Sequence, residues 1–387
     1  MNVKEKDALY IANTYARFPV HIVAGEGSTL YDDEGKSYVD MGSGIGVTAF
    51  GVGDKIWTDA VKAQLDKLQH ASNLYYTDPC VELAEKLCKK TGMEKVFFSN
   101  SGAEANECAI KTARKWGAEN KGAEYFNIVT LKGSFHGRTL ATLAATGQDA
   151  YHKDFLPVTP GFLYASATDA DEVEKTVAEN KCAAVMFEVV QGEGGVVALD
   201  GAYLAKLQEI AEKYNVLLIA DEVQTGNGRS GKYFAYMHYG LKPDIVTTAK
   251  GLGGGLPIGA TLFGKKTANV LTAGTHGSTF GGNPVAAAGA VSIVDRLTDA
   301  FMAEVAKKSA YIVNSLAGKK GIKEITGTGL MLGILTERPV DEVLADLRAE
   351  GVLALKAKNK VRLLPPLNIS EAELGKAVEI IGKVCAK

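Results

Sequence analysis

Five cysteines in 387 residues, at positions 80, 88, 108, 182 and 385, are too few, too scattered and odd in number for a disulfide framework. None form a Cys-x-x-Cys pair. They read as small core residues in a reducing compartment. The six histidines (21, 70, 136, 152, 238 and 276) show no metal-ligand spacing, and no His-Glu-x-x-His occurs. No metal site is therefore expected. The chain also lacks an excess of either charge: 43 Lys and Arg stand against 45 Asp and Glu, a net of −2. Without a basic face, neither a nucleic-acid partner nor a membrane surface is expected. The N-terminus shows no charged-then-apolar leader pattern. The long stretch without Asp, Glu, Lys or Arg, residues 267–294, holds five glycines, Pro284, His276 and several hydroxyls. It is too polar for a spanning helix, so the expected location is the cytoplasm.

What is abundant is glycine. Forty-three are present, against the roughly 27 that average usage would give. Glycine serves turns, and it also lets a backbone approach a ligand closely. At about 150 residues per domain the length predicts two or three domains. No repeat or low-complexity linker divides them. Short apolar runs recur instead: Val96-Phe97-Phe98, Ile128-Val129, Ala183 to Val190, Val216 to Ala220 and Ile245-Val246. Helical patterns separate most of them, such as Tyr203 to Tyr214, and Trp57, Val61, Leu65 and Leu68 fall at helix spacing. Asp78-Pro79 reads as a helix cap with proline in the first turn. This alternation predicts an α/β fold with a mainly parallel sheet flanked by helices. From Pro284 to about Leu316 the pattern is one long helix. Short strands follow, and Ser370 with Glu373 predicts a capping box on a last helix. These features predict an N-terminal segment at 1–45 packing with a small domain, a large domain at 46–283, and a smaller α+β domain at 284–387.

Ligands of an open parallel sheet sit at the carboxyl ends of its strands. After Val96-Phe97-Phe98 come Ser101, Gly102 and Ala103 at a helix start, where free N–H groups favour an anion. A plain helix cap is the alternative. Asp221 closes an apolar run in LLIAD; a cap or a surface ion pair would equally place a carboxylate there. Lys250 follows Ile245 to Ala249 and precedes the glycine-rich GLGGGLPIGA. A partly desolvated lysine has a lowered pKa and a lone pair free for carbonyl chemistry. An ordinary surface lysine beside a loop is the rival reading. The glycine–lysine order of a P-loop is absent. An anion cradle, a carboxylate and a lysine at one sheet edge are together what pyridoxal phosphate requires.

Long segments carry a closer resemblance: HASNLYYT, FFSNSGAEANECAIKTAR, SFHGRT, QGEGGV, ADEVQTGNGRSG, AKGLGGGLPIGA and STFGGNP. The likeness runs from Tyr15-Ala16-Arg17-Phe18-Pro19 to Arg362-Leu363-Leu364-Pro365-Pro366-Leu367. On these the chain resembles the class III pyridoxal-phosphate aminotransferases of fold type I, and within them the acetylornithine aminotransferases. The resemblance implies a large domain with a mainly parallel mixed sheet, a smaller α+β domain, and a homodimer with shared active sites. It implies that Lys250 bonds the cofactor aldehyde and shuttles a proton, and that Asp221 pairs with the ring nitrogen. Ser101, Gly102 and Ala103 would bind the phosphate, Phe135 and Val223 would cover the ring faces, and Gln224 would meet the ring oxygen. Thr279 would reach the neighbouring subunit's phosphate, with Ser278 beside it facing substrate.

For substrate, the resemblance implies that Arg138 holds a carboxylate distal to the reacting amine and Arg362 the α-carboxylate of glutamate or 2-oxoglutarate. Glu193 would neutralise Arg362 when an ω-amine enters and release it for glutamate. Ordinary exposed charges are the alternative for this pair. Ile45 stands where ornithine δ-aminotransferases usually carry a tyrosine, which favours an acylated substrate or 4-aminobutyrate. The implied reaction moves the δ-amino group of N-acetylornithine to 2-oxoglutarate, and runs in reverse for arginine biosynthesis. Succinyl-ornithine, N-succinyl-diaminopimelate, ornithine and 4-aminobutyrate are alternative donors. A catalytically silent cofactor-binding protein is the alternative of another class. His136 is expected to be a packed neighbour of Phe135. Two segments depart from the family pattern. Gly51-Val52-Gly53-Asp54-Lys55 replaces Gly-His-x-His-Pro, and Glu188-Val189 replaces Glu-Pro. The first lies at a helix start, where it is expected to alter local structure rather than chemistry.

Overall fold

The structure, a computed structural model, describes residues 1–387. Its centre is a seven-stranded sheet. From one edge the order is Lys95–Ser99, Gly259–Phe263, Ile245–Thr248, Leu217–Asp221, Cys182–Phe187, Asn127–Leu131 and Phe162–Ala165. Gly259–Phe263 runs antiparallel to both its neighbours, while the pairs formed by the remaining strands are parallel. The apolar runs form these strands because helices cover both faces, so inward and outward positions alike are buried. Every residue of Cys182–Phe187 and Leu217–Asp221 is buried.

Two four-stranded sheets flank this layer. One joins Ile22–Glu26, Thr29–Asp32 and Ser37–Asp40 to Val352–Leu353 from far along the chain, Val39 pairing in parallel with Val352. The other is ordered Ile322–Thr328, Met331–Thr336, Lys360–Leu363, Leu355–Ala357. The helix Glu371–Cys385 has the expected capping box of Ser370 and Glu373.

The structure differs from the sequence pattern in four places. The pattern over 284–316 is two helices, Pro284–Arg296 and Asp299–Leu316. The break falls at Leu297-Thr298, where the Thr298 hydroxyl accepts from Phe301 N at 3.2 Å. A threonine ahead of an acidic first turn is a start signal that the continuous apolar spacing masked. Asp78 lies inside its helix, and Thr77 is the cap residue. The helix Val3–Tyr10 and the strand Ile22–Glu26 have no clear sequence pattern; the helix buries no residue at all. Gly259–Phe263 was hidden by the glycines and proline leading into it.

Candidate active site

Nearly all the walls of one cavity of about 410 Å³ come from a single edge of the central sheet. The parallel strands deliver residues from their carboxyl ends: Asn100 to Ala103, Phe135 to Arg138, Glu188, Asp221 to Gln224, and Ala249-Lys250. The antiparallel strand contributes the residues before its start, Gly255 to Ile258, because its amino end lies at the same edge. Val47, outside the central sheet, closes the wall.

Asp221 is buried, meets three polar partners and keeps acceptor capacity toward the cavity that it lines. One oxygen accepts from Asn106 Nδ2 at 2.7 Å and faces His136 Nδ1 at 2.8 Å; the other accepts from Val223 N at 3.0 Å. Asn106 is itself fixed. Its Nδ2 also donates to the His136 carbonyl at 2.8 Å, and its Oδ1 accepts from the Thr247 hydroxyl at 2.7 Å. Two distant segments and the following turn thus converge on one carboxylate, with Thr247 behind Asn106, which is how a buried charge is tolerated. His136 is more than a packed neighbour of Phe135: it belongs to this network, and its buried Nε2 has no partner within the chain. Asn106 and Glu188 were also missed by sequence reasoning. The available signal for Asn106 was a polar residue on the buried face of an otherwise small and apolar helix.

Lys250 opens the short 3₁₀ turn Lys250–Leu252 with φ 43°, a left-handed conformation that is costly for a side-chain-bearing residue. Burial pulls its amine below the ordinary lysine range, while Glu193 and Asp221 pull it partly back. Burial, reinforced by the charge of Asp221, pushes the Glu188 carboxyl well above its usual range, and its Oε2 accepts from Phe135 N at 2.9 Å. Glu188 is therefore biased toward its protonated form inside the cavity.

Helix Gly102–Asn120 starts at the cavity with Ser101 as its cap, the hydroxyl accepting from Glu104 N at 3.1 Å. A side chain at Gly102 would put its Cβ 2.6 Å from Val223 Cγ1, so only glycine lets the helix start and the Val223 side chain meet. Phe135 faces Tyr151 edge-on at 5.5 Å, and Arg138, exposed at the mouth, stacks 4.3 Å over the Tyr151 ring.

The two predicted substrate charges form a pair although they are far apart in sequence. Arg362 Nη1 donates to Glu193 Oε1 at 2.5 Å and to Gln224 Oε1 at 3.1 Å. Arg362 is only 3% exposed, and its Nε has no partner within the chain. Burial raises the Glu193 carboxyl, but the charge and hydrogen bond of Arg362 outweigh this and hold it below the ordinary range. Five predicted residues lie outside the cavity wall, Glu193 and Arg362 among them. Ile45 is 42% exposed at φ 66°, Thr279 is exposed, and Ser278 accepts from Asn100 Nδ2 at 3.1 Å beside the cavity.

The residues present fit pyridoxal phosphate. A glycine-lined helix start suits a phosphate, a firmly held carboxylate with an acceptor site to spare suits a protonated ring nitrogen, Phe135 and Val223 offer apolar flanks, and a lowered lysine amine suits an aldehyde. No cluster of histidine, cysteine or carboxylate groups could hold a metal ion. No helix is long and apolar enough to cross a membrane.

Comparison with known proteins agrees over the full length. The family profile "Aminotransferase class-III" matches residues 10–385. The chain is 46% identical to an acetylornithine aminotransferase of Haemophilus ducreyi over 100% of this chain and 98% of that protein. It is 45% identical to one from Aquifex aeolicus, over 97% and 99%. Among solved structures, an ornithine aminotransferase from Toxoplasma gondii superposes with TM-score 0.95 at 31% identity, covering 99% of this chain and 94% of that one. An N-acetylornithine aminotransferase from Stenotrophomonas maltophilia gives 0.85 at 33%, covering 99% and 98%. A family match that spans nearly every residue, over a buried carboxylate, a desolvated lysine and a helix start brought to one sheet edge, places this chain among the class-III aminotransferases.

Proposed function

We propose that the chain is a cytoplasmic homodimeric transaminase that binds pyridoxal 5'-phosphate and moves the δ-amino group of N-acetyl-L-ornithine to 2-oxoglutarate. The products are N-acetyl-L-glutamate 5-semialdehyde and L-glutamate. One observation carries this reading: a buried arginine, Arg362, is neutralised by Glu193 within electrostatic reach of Lys250. A site serving two substrates needs such a pair. A substrate presenting only an amine at that position finds a neutral surface. One presenting an α-carboxylate can take the planar fork of Arg362 once Glu193 swings away.

The phosphate would lie against the backbone N–H groups of Ser101, Gly102 and Ala103. Phe135 and Val223 would flank the ring, and Gln224 would meet its oxygen. When bound, the cofactor supplies an electron sink for the bond that breaks beside the substrate nitrogen. Lys250 Nζ would be the base of the site: its lowered basicity suits it to accept a proton from the carbon bearing the amine and to return it on the far side of the nitrogen. Asp221, locked by Asn106 and His136, would hold a protonated ring nitrogen. Arg138 at the mouth would take the distal carboxylate of the acylated donor. Thr279 lies outside this chain's own cavity wall and would complete the site of a second copy, which is the reason to propose a dimer.

The test is the visible absorbance of purified protein, wild type and Lys250→Ala. N-acetylornithine should bleach the wild-type band and 2-oxoglutarate restore it, while Lys250→Ala should not cycle. Competition by kcat/KM among N-acetylornithine, succinyl-ornithine, N-succinyl-diaminopimelate, ornithine and 4-aminobutyrate then ranks donors. A cycling protein that ignores N-acetylornithine would move the reading to another ω-amine. A protein that takes up no pyridoxal phosphate would overturn it.

A further inference from the structure

The segment Gly51-Val52-Gly53-Asp54-Lys55, where this chain departs from its family's pattern, is joined through side chains to the turn that follows Lys250. Asp54 caps the helix Lys55–Lys67, accepting from Trp57 N at 3.2 Å. Its two oxygens also take both arms of the Arg296 guanidinium, at 2.9 and 2.6 Å. Arg296 is held on its other atoms too: Nε donates to the Ser292 carbonyl at 2.8 Å, and the guanidinium lies 3.8 Å over the Phe50 ring. A bidentate, stacked arginine is rigid. The cap and clamp fix the first turn of the helix, and so the Trp57 indole.

Trp57 Nε1 donates at 3.0 Å to the carbonyl of Gly253. The same carbonyl closes the turn by accepting from Leu256 N at 3.3 Å, and Gly253 N returns to the Lys250 carbonyl at 3.0 Å. The indole also lies against Gly254, where a Cβ would come 2.9 Å from Nε1 and where φ is +61°. Beyond this turn, Gly255 to Ile258 wall the cavity beside Lys250. A glycine-rich turn has high intrinsic freedom, and here one side-chain hydrogen bond meets the carbonyl that organises it.

We propose that Asp54, Trp57 and Arg296 are positioning residues for Lys250, holding the turn Gly253–Ile258 so that the cavity wall beside the lysine keeps one shape. This deepens the reading of Lys250 as the reacting amine and rests on it. None of the three residues lies against the reacting atoms, so their effect should fall on kcat rather than on KM.

Trp57→Phe keeps the packed ring and deletes the donor; Asp54→Asn keeps a cap oxygen and deletes the charge. In Trp57→Phe, amide hydrogen exchange at 253–258 should quicken about tenfold, while helix 55–67 keeps its protection. The melting temperature should fall by no more than about 2 °C. Turnover should fall about fivefold, with KM for donor and acceptor within about twofold. Asp54→Asn should shift both readouts in the same direction, and the double variant should be no slower than the slower single one. Unchanged exchange at 253–258 in both variants would overturn the proposal. So would exchange that quickens only in step with the whole chain, which would make the arm a plain helix anchor, and so would faster exchange with kcat intact. If wild type itself turns over no amine, the reading of Lys250 fails, and the equal failure of wild type and variants marks that case.

Discussion

The cofactor side and the substrate side of the cavity are built by opposite rules. Asp221 is over-determined: it is buried, and its oxygens meet Asn106, His136 and Val223, with Thr247 behind Asn106. The substrate side is sparse. Arg138 is exposed, Arg362 leans on a single carboxylate and one amide, and Thr279 and Ile45 do not reach the cavity within one chain. A group that must keep one charge in a low dielectric needs several fixed partners. A group that must greet two different substrates needs a partner it can leave.

The comparison can be tested by variants on each side. The largest effect belongs to Lys250→Ala, which should lower kcat by on the order of 10⁴-fold, measured by steady-state turnover of N-acetylornithine with 2-oxoglutarate. Next is Arg362→Ala, which should raise KM for 2-oxoglutarate by on the order of a hundredfold while affecting the N-acetylornithine half-reaction far less. Equal losses in both half-reactions would mean that the pair is structural. Glu193→Gln keeps the shape and removes the charge. It should lower kcat/KM for N-acetylornithine about tenfold and change that for glutamate less than about threefold.

The smallest effect is on stability, and it lies beneath the cofactor side. Glu222 is fully buried and accepts from Ala235 N, Tyr236 N and the Thr225 hydroxyl. Burial, against the pull of those donors, raises its carboxyl to about 7. The folded chain therefore binds this proton more tightly than the unfolded chain. Glu222 costs the fold nothing below the ordinary 4.5, and its cost grows until pH passes about 7. The melting temperature should fall across that window, and Glu222→Gln should flatten the slope whatever it does to the absolute value. A wild-type melting temperature that rises from pH 5 to 7.5 would contradict the raised carboxyl.

Legibility followed the same division. Lys250, Asp221 and Ser101 to Ala103 each follow an apolar run directly, so their place at the strand ends could be read locally. Asn106 and His136 could not: nothing in the helix containing Asn106 or in SFHGRT says that both side chains end on the same carboxylate. Glu188 entered the sequence reading only as part of the Glu188-Val189 departure, and it is burial by distant segments that raises its carboxyl. The antiparallel strand Gly259–Phe263 was masked by its glycines, and the break at Leu297-Thr298 by continuous apolar spacing.

Sequence by itself determined the alternation of buried strands and amphipathic helices, the sheet edge at which chemistry collects, and the family, because each is written in short-range periodicity or in contiguous motifs. Tertiary structure alone decided that Asn106 and His136 meet on Asp221, that Asp54 meets Arg296 across 242 positions, and that an indole reaches the turn after the lysine. Those contacts depend on how strands and helices stack in space. Burial then decides which of the charged groups keep their charge, and no local pattern encodes burial by distant segments.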